Sequence, residues 1–417
     1  MRLLWSVNAM PAELASLCGI KSTTYSGGWL QAMQNELEKS DDISLYIAIE
    51  GKVINPIWYK GKKSIYVIIP SCEGSPYNSG CEADWQGVLE KIKPDIIHIH
   101  GTELPHSLCL FNCADGKYKT IISIQGLISE VYKNYLNGIP EKDLVLNTTV
   151  ADLLRRSTVS NHLNMYGTLA GYEILLLQKA KNITGRTEWD KNTALSINPN
   201  LNYFYCNESL RDIFYQIQWD INSCKRNTLF FSQSVYPLKG LHILLDALIY
   251  VKEEIPDIKV FVGGDDIVNT SFKRKTFYGK YLKNKIKRLG LTENVIFTGI
   301  LNEQQYAEYL QSANAFVMAS SIENSSNSLC EAMLIGLPCI ASATGGTPDL
   351  ISDGVDGLLY PGGDSNKLGE LILQLLRDDE LTNKLSENSK NTAAIRHDKS
   401  ANAEQLKNIY NTIIQQK

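Results

Sequence analysis

Along this chain, short runs of Val, Ile, Leu and Phe alternate with longer stretches whose apolar residues return every three or four positions. The first pattern predicts strands and the second predicts helices with one buried face. In the first half, strands are expected at Arg2–Val7, Ile43–Ile49, Ser64–Pro70, Asp95–His100 and Thr120–Gln125, with a short last one at Ile183–Arg186. A helix-like run follows Gly27-Gly28 to about Lys39, and Ala151–Lys181 reads as one long helical stretch. The second half repeats the pattern more cleanly. Strands are expected at Thr228–Ser232, Lys259–Gly263, Val295–Gly299, Ala315–Ala319, Cys339–Ser342 and Gly357–Tyr360. Helices are expected at Leu241–Glu254, Tyr278–Leu289, Glu303–Ser312 and Leu329–Ile335. Strands separated by helices predict parallel sheets, and two such arrays predict two doubly wound α/β domains. The polar, Asn-rich stretch Tyr205–Arg226 is the best linker, giving domains at 1–205 and 206–401. A last helix, 402–416, follows a polar segment and is placed to pack back on the first domain.

A length of 417 residues fits two domains, and 44% hydrophobic with 21% charged residues is ordinary for a globular protein. A net charge of −4 gives no overall field that would draw nucleic acid or anionic lipid. No apolar run approaches the ~18 residues of a membrane span. The opening MRLLWSVNAMPAEL reads as a first strand rather than a signal peptide. The nine cysteines are odd in number and contain no Cys-x-x-Cys. With six scattered histidines, they suggest neither a zinc site nor a disulfide framework, so a reducing cytoplasm and mostly buried thiols are expected. One local exception to the charge balance is Lys273–Arg288, which carries eight Lys and Arg residues. It reads as a solvated helix face, with contact to a membrane surface as the sharper alternative.

The chemistry concentrates after the strand Ala315–Ala319, in Ser320-Ser321-Ile322-Glu323-Asn324-Ser325-Ser326-Asn327-Ser328-Leu329-Cys330-Glu331-Ala332-Met333. This segment opens a helix, whose first N–H groups and dipole favour an anion. A diphosphate there would be bound by N–H groups from Asn327, Ser328 and Leu329. Glu331, just inside the helix, is placed to accept hydroxyl protons from a ribose, and Glu323 to face a transferred sugar. A plainer reading exists: Ser328-x-x-Glu331 is a capping box, and Glu323 alone would be a solvated loop residue. Downstream come Gly336-Leu337-Pro338, an apolar strand, and Thr344-Gly345-Gly346-Thr347-Pro348-Asp349, whose glycines let backbone approach a ligand.

Glu323 and Glu331 with seven residues between them, followed by EAMLIGLPCIASATGGTPDLISDGVDGLLY, resemble the signature of retaining glycosyltransferases of family 4. The resemblance implies the GT-B fold, two Rossmann-like domains facing across a cleft. It also implies a nucleotide diphosphate sugar as donor, retention at the anomeric carbon, and neither metal nor cofactor. It assigns Glu331 to the ribose and Glu323 to the donor sugar. Pro237-Leu238-Lys239-Gly240 stands where the family places a Lys-Gly against the diphosphate, which makes Lys239 the catalytic cation. Many members also carry an Arg at the end of the preceding strand; here the residues are Ser232-Gln233-Ser234. In the first domain, Gly27 and Gly28 match a glycine pair that approaches the donor. His100 ends a strand on the side of the expected acceptor, and His98 reads as structural. Gln125 stands where many relatives place a functional His, and Arg186 and Glu188 lie in an Arg-Thr-Glu segment at the cleft. Relatives of this form build bacterial capsule, O-antigen or exopolysaccharide on glycan or lipid-linked acceptors, which implies a cytoplasmic protein with peripheral contact to the inner face of the membrane. The two departures from the family pattern leave a non-catalytic sugar-binding or partner subunit as the alternative. An NAD-linked enzyme is disfavoured because no Gly-x-Gly-x-x-Gly follows the first strand, and nothing suggests a nucleic-acid partner.

Overall fold

The computed structural model describes residues 1–20, 27–72 and 74–416, which form two compact units. Unit 1 comprises Met1–Ser129, Gly167–Arg211 and His397–Lys417, and unit 2 comprises Glu130–Tyr166 and Asp212–Arg396.

Unit 1 is built on strands β1 (Arg2–Val7), β2 (Ser44–Gly51), β3 (Ile57–Lys60), β4 (Ile65–Pro70), β5 (Ile96–His100), β6 (Thr120–Ser123), β7 (Asn182–Gly185) and β8 (Asn202–Tyr205). They form one sheet in the order β3-β4-β2-β1-β5-β6-β7-β8. Neighbours pair in parallel except β3, which runs antiparallel to β4. The central strands are almost continuously apolar because helices cover both faces. Alternate residues of β1 serve the two faces: Leu4 joins Trp85, Leu89 and Phe111 on one, and Leu3 and Trp5 join Met33, Leu406 and Tyr410 on the other. The last helix, Lys399–Gln415, thereby packs on the first sheet. The sequence pattern misses β3 and β8. Both are partly exposed edge strands of mixed polarity, with no apolar run to announce them.

Unit 2 contains β9 (Thr228–Phe231), β10 (Lys259–Gly263), β11 (Val295–Gly299), β12 (Ala315–Met318), β13 (Cys339–Ser342) and β14 (Leu358–Tyr360). This sheet is wholly parallel, in the order β11-β10-β9-β12-β13-β14. Its flanking helices bury stripes at the expected spacing, such as Leu368, Leu371, Ile372 and Leu375 on Ser365–Arg377.

The chain passes between units at Arg211 and Asp212, inside the stretch Tyr205–Arg226. Two features differ from the sequence reading. Glu130–Tyr166 lies in unit 2, where Ile139, Leu144 and Val159 enter its core. The long helical stretch is also interrupted: Val150–Arg155 ends at Arg156 with a φ of 52°, and a new helix begins at Val159. Periodicity reports which residues want burial, not which sheet will bury them.

The cysteines differ as well. Cys72, after β4, and Cys81, in the first turn of Ser79–Ile92, form a disulfide with Cα atoms 5.4 Å apart. The buried Cys109 sulfur completes a group whose ligand atoms lie within 4.8 Å of one another. With two of the three sulfurs bonded to each other, one thiol remains to offer a cation. Among the described residues, no helix is long and apolar enough to cross a membrane.

In each sheet the later strands are added on the opposite side of the first strand, a reversal that falls between β1 and β5 in unit 1 and between β9 and β12 in unit 2. Ligands of such sheets bind beyond the carboxyl ends of the strands at these reversals.

Candidate functional site

In unit 2, the ends of β9 and β12 hold the residues singled out by sequence. A 3-10 turn, Pro237–Lys239, follows β9, and the Ser321 N–H bonds to the Leu238 carbonyl at 2.9 Å. That tie brings Lys239 Nζ to 2.6 Å from Glu323 Oε1. Ser320 Oγ donates to the same carboxylate oxygen at 2.8 Å. The Ser320 carbonyl is fixed in turn by Ser342 Oγ at 2.6 Å and Thr344 Oγ1 at 3.0 Å. Burial disfavours the Lys239 ammonium, but the Glu323 carboxylate, Tyr236 and Tyr166 outweigh it, and its pKa stands above the ordinary 10.5. The Glu323 carboxylate thus favours the charged form of Lys239 and positions it.

Glycine is required here for contacts within the protein. Gly240 has a φ of 76°, and a Cβ on it would stand 1.9 Å from the Ala319 carbonyl oxygen. Gly345 has a φ of 56°, and its Cβ would lie 2.1 Å from the Glu323 carbonyl oxygen, to which Gly346 N–H donates at 2.8 Å. The Gly345-Gly346 pair thus holds the Glu323 loop.

The helix that carries the second glutamate is Asn327–Leu334, and its N-cap is Ser326, which makes no side-chain cap bond. The capping box suggested by Ser328-x-x-Glu331 is not formed. Ser328 sits inside the first turn, its Oγ 3.0 Å from Ser326 Oγ and 3.4 Å from Ser232 Oγ. The backbone N–H groups of Asn327, Ser328 and Leu329 occupy the turn that has no carbonyl partner within a helix. Glu331 is buried one turn further on, at 4% exposure. The helix start, Lys239 and Glu323 combine N–H dipoles, a cation and a carboxylate at the switch point of unit 2.

Sequence reasoning missed Asn137. Its amide Nδ2 donates toward three carbonyls, Pro237 at 3.2 Å, Leu238 at 3.3 Å and Ala319 at 3.4 Å, so it joins the lysine turn to the end of β12. His242 Nε2 lies 2.9 Å from the Asn137 carbonyl, whose oxygen can only accept, so His242 donates from Nε2. An Asn-Gly with a φ of 48° at Asn137 was the available signal, but it reads as an ordinary turn.

The remaining candidates lie in unit 1. Gly27 has a φ of 87° and its Cβ would stand 2.6 Å from Ala9 Cβ; a Cβ on Gly28 would stand 2.4 Å from Arg211 Cγ. Arg186 is buried at 4% exposure, ion-paired to Glu208, and donates to the Ile124 and Gln125 carbonyls at 2.7 and 3.1 Å. Burial pushes the Glu208 carboxyl up, and Arg186 and the Gln125 side chain offset only part of that. Gln125 therefore works as a neutral partner of a buried ion pair. Glu188 does not join this group; it begins the helix Glu188–Ile197, 62% exposed, and pairs with Lys191 at 3.1 Å. His100 lines a small pocket with Arg186, Glu208 and Trp29. Among the described residues neither of its ring nitrogens has a partner.

His98 is structural, held between two hydroxyls. Trp5 Nε1 donates to Tyr410 Oη at 3.0 Å, and Tyr410 Oη lies 2.6 Å from His98 Nδ1. His98 Nε2 is hydrogen-bonded to Ser123 Oγ. Burial holds His98 down to about 3, and burial, His98 and Arg186 together hold His100 well below 6.5. Both rings are neutral in the folded unit, whereas the unfolded chain takes up protons near 6.5. Stability is therefore present above that value and is lost as pH falls towards the folded values. The melting temperature should fall from about pH 7 to about pH 5, and less steeply in a His98→Gln/His100→Gln variant. Equal slopes in calorimetry of the two proteins would contradict this.

Residues 216–392, within unit 2, match the family Glycosyl transferases group 1. Over 304 residues the chain is 27% identical to an uncharacterized glycosyltransferase of Methanocaldococcus jannaschii, covering 72% of this chain and 73% of that one. Over 190 residues it is 30% identical to a phosphatidyl-myo-inositol mannosyltransferase of Mycobacterium leprae, covering 45% and 47%. The chain thus spans less than half of the second relative. Among solved structures, sucrose-phosphate synthase from Thermosynechococcus elongatus superposes with a TM-score of 0.71 at 15% identity, over 99% of this chain and 98% of that one. Anabaena HepE in complex with UDP-glucose gives a TM-score of 0.68 at 15% identity, over 99% and 100%. These likenesses show the fold, two Rossmann-like α/β domains of the GT-B kind.

Proposed function

We propose that this chain, a glycosyltransferase with a group 1 domain in unit 2, moves a sugar from a nucleotide diphosphate sugar to a glycan or lipid-linked acceptor with retention of anomeric configuration. The observation that carries the reading is the Lys239–Glu323 pair at 2.6 Å, set in the same unit as the uncapped start of Asn327–Leu334 and the buried Glu331. In such a transfer the bond from the anomeric carbon to the diphosphate oxygen breaks, and a bond from that carbon to the acceptor oxygen forms. The acceptor's hydroxyl proton passes to the departing phosphate. Negative charge grows on the diphosphate as the sugar becomes oxocarbenium-like, so donors aimed at the diphosphate act on the transition state. Lys239 and the N–H groups of Asn327, Ser328 and Leu329 take that role, with no metal required. Glu331 accepts hydrogen bonds from the ribose hydroxyls, and Glu323 holds Lys239 and faces the donor sugar. Gly27 and Gly28 are assigned to the donor, and His100, Gln125, Arg186 and Glu188 to the acceptor side. Surface-polysaccharide synthesis on the cytoplasmic face of the membrane is the role this chemistry suits.

The test is a panel of nucleotide sugars with glycan and lipid-linked acceptors, read by mass spectrometry for transfer and by NMR for the product anomer. Transfer with retention from one donor is expected. In Glu331→Gln, donor affinity should fall by about tenfold or more, because ribose hydrogen bonds to a charged acceptor become bonds to a neutral one. Unchanged affinity in a correctly folded Glu331→Gln would remove the ribose assignment, and an inverted product would remove retention.

A further inference from the structure

Two consecutive short helices of unit 2 each expose most of their apolar residues. Val150–Arg155 buries Ala151 and Asp152, the latter held in a capping box by Thr149, and exposes Val150, Leu153 and Leu154 at 54%, 62% and 81%. Glu141–Leu146 buries Leu144 and exposes Val145 and Leu146 at 48% and 76%. Only Leu144 of the four leucines follows the usual amphipathic arrangement, in which leucines face the core. Five exposed aliphatic side chains in ten residues form a patch of the kind that marks an interaction surface.

A basic segment is fastened beside them. Arg155 donates to the Lys273 and Lys275 carbonyls at 3.2 and 2.6 Å, Thr149 Oγ1 to the Lys275 carbonyl at 3.3 Å, and Asn284 Nδ2 to Asn147 Oδ1 at 3.1 Å. Phe272, 62% exposed, adds an aromatic ring. From Phe272 to Arg288 there are eight Lys and Arg residues and no Asp or Glu, in a chain whose net charge is −4. Arg274 is neutralised by Asp265 and Lys285 by Asp246. No ion pair is found for Lys273, Lys280, Lys283, Lys287 or Arg288 among the described residues.

We propose that this edge of unit 2 docks on an anionic lipid bilayer. The outward leucines and Phe272 enter the interface between headgroups and acyl chains, while the flanking cations meet lipid phosphates. Charge complementarity selects this occupant. Exposed aliphatic residues alone would fit a protein partner, but a neighbouring segment with cations only matches a surface of uniform negative charge. The inference does not depend on the proposed sugar transfer, because docking needs no donor.

The test is co-sedimentation of the full chain with vesicles of phosphatidylcholine alone and of phosphatidylcholine with phosphatidylglycerol at about 3:1. Binding to the mixed vesicles should exceed binding to the neutral ones by about tenfold or more and should weaken with added salt. Leu146→Glu/Leu154→Glu should lose vesicle binding, and Lys273→Glu/Lys280→Glu/Lys283→Glu should lose the preference for anionic lipid. All five positions are at least partly exposed, so the melting temperatures of both variants should match that of the parent. Failure of the parent to sediment with either vesicle, or undiminished binding by the leucine variant, would overturn the proposal. So would ultracentrifugation showing a self-associated chain that the leucine variant dissociates while vesicle binding stays absent.

Discussion

Lys239→Ala is expected to lower kcat/KM for sugar transfer by roughly a hundred- to a thousandfold. Two losses act together. In the proposed transfer, the cation that meets growing charge on the diphosphate is lost, and Glu323, 14% exposed and 2.6 Å from Lys239 in the parent, becomes a carboxylate without its ammonium partner beside an anionic ligand. Removing that second charge should recover part of the loss, so Lys239→Ala/Glu323→Gln should be more active than the sum of the single effects predicts. Steady-state kinetics on the two single variants and the double variant form the check. Strict additivity would mean that the pair does not act as a unit. Lys239→Arg keeps the charge but not the compact ammonium, and should fall between parent and alanine.

The second large effect is on the scaffold. Gly240→Ala should destabilise unit 2 by roughly 3 kcal/mol, a drop of roughly 6–12 °C in melting temperature. A side chain at a φ of 76° is strained in itself, and its Cβ would press on the Ala319 carbonyl oxygen at 1.9 Å and carbon at 2.7 Å. Both neighbours are backbone, so relief requires moving either the Lys239 turn or the end of β12. Donor affinity should therefore fall with stability. Gly290→Ala is the control: Gly290 has a φ of 66°, but nothing lies within 4 Å of the added Cβ. Only the conformational cost, about 1 kcal/mol, should appear there. Equal shifts in the two variants would show that the close contact at Gly240 is not the cause.

The parts of the candidate site that stand out in the sequence lie in short segments. Glu323 and Glu331 stand on one loop and one helix, and the strand before them is an unbroken apolar run, Ala315–Met318. Lys239-Gly240 is equally local. The N-cap was misplaced by two residues because a Ser-rich segment, Ser325-Ser326-Asn327-Ser328, offers several capping residues, and packing chooses among them. Asn137 was invisible because its role is to join carbonyls about a hundred and more residues away in sequence. The same holds for the ion pair that Arg186 makes, since its partner Glu208 lies on a different segment of the chain. The Cys72–Cys81 disulfide joins a strand end to a helix start, and the spacing of one cysteine pair carries no such information. Helices such as Val150–Arg155 mislead in the opposite sense, since their apolar pattern predicts burial that the fold does not supply.

The central claim is that unit 2 holds a nucleoside diphosphate through Lys239 and the start of Asn327–Leu334 without a metal. Calorimetric titration of UDP, GDP and ADP into the full chain in the presence of EDTA tests it most directly. One diphosphate should bind, its monophosphate should bind about tenfold or more weakly, and Lys239→Ala should remove that difference. Binding of none of the three, or a diphosphate affinity in Lys239→Ala equal to that of the parent, would contradict the claim.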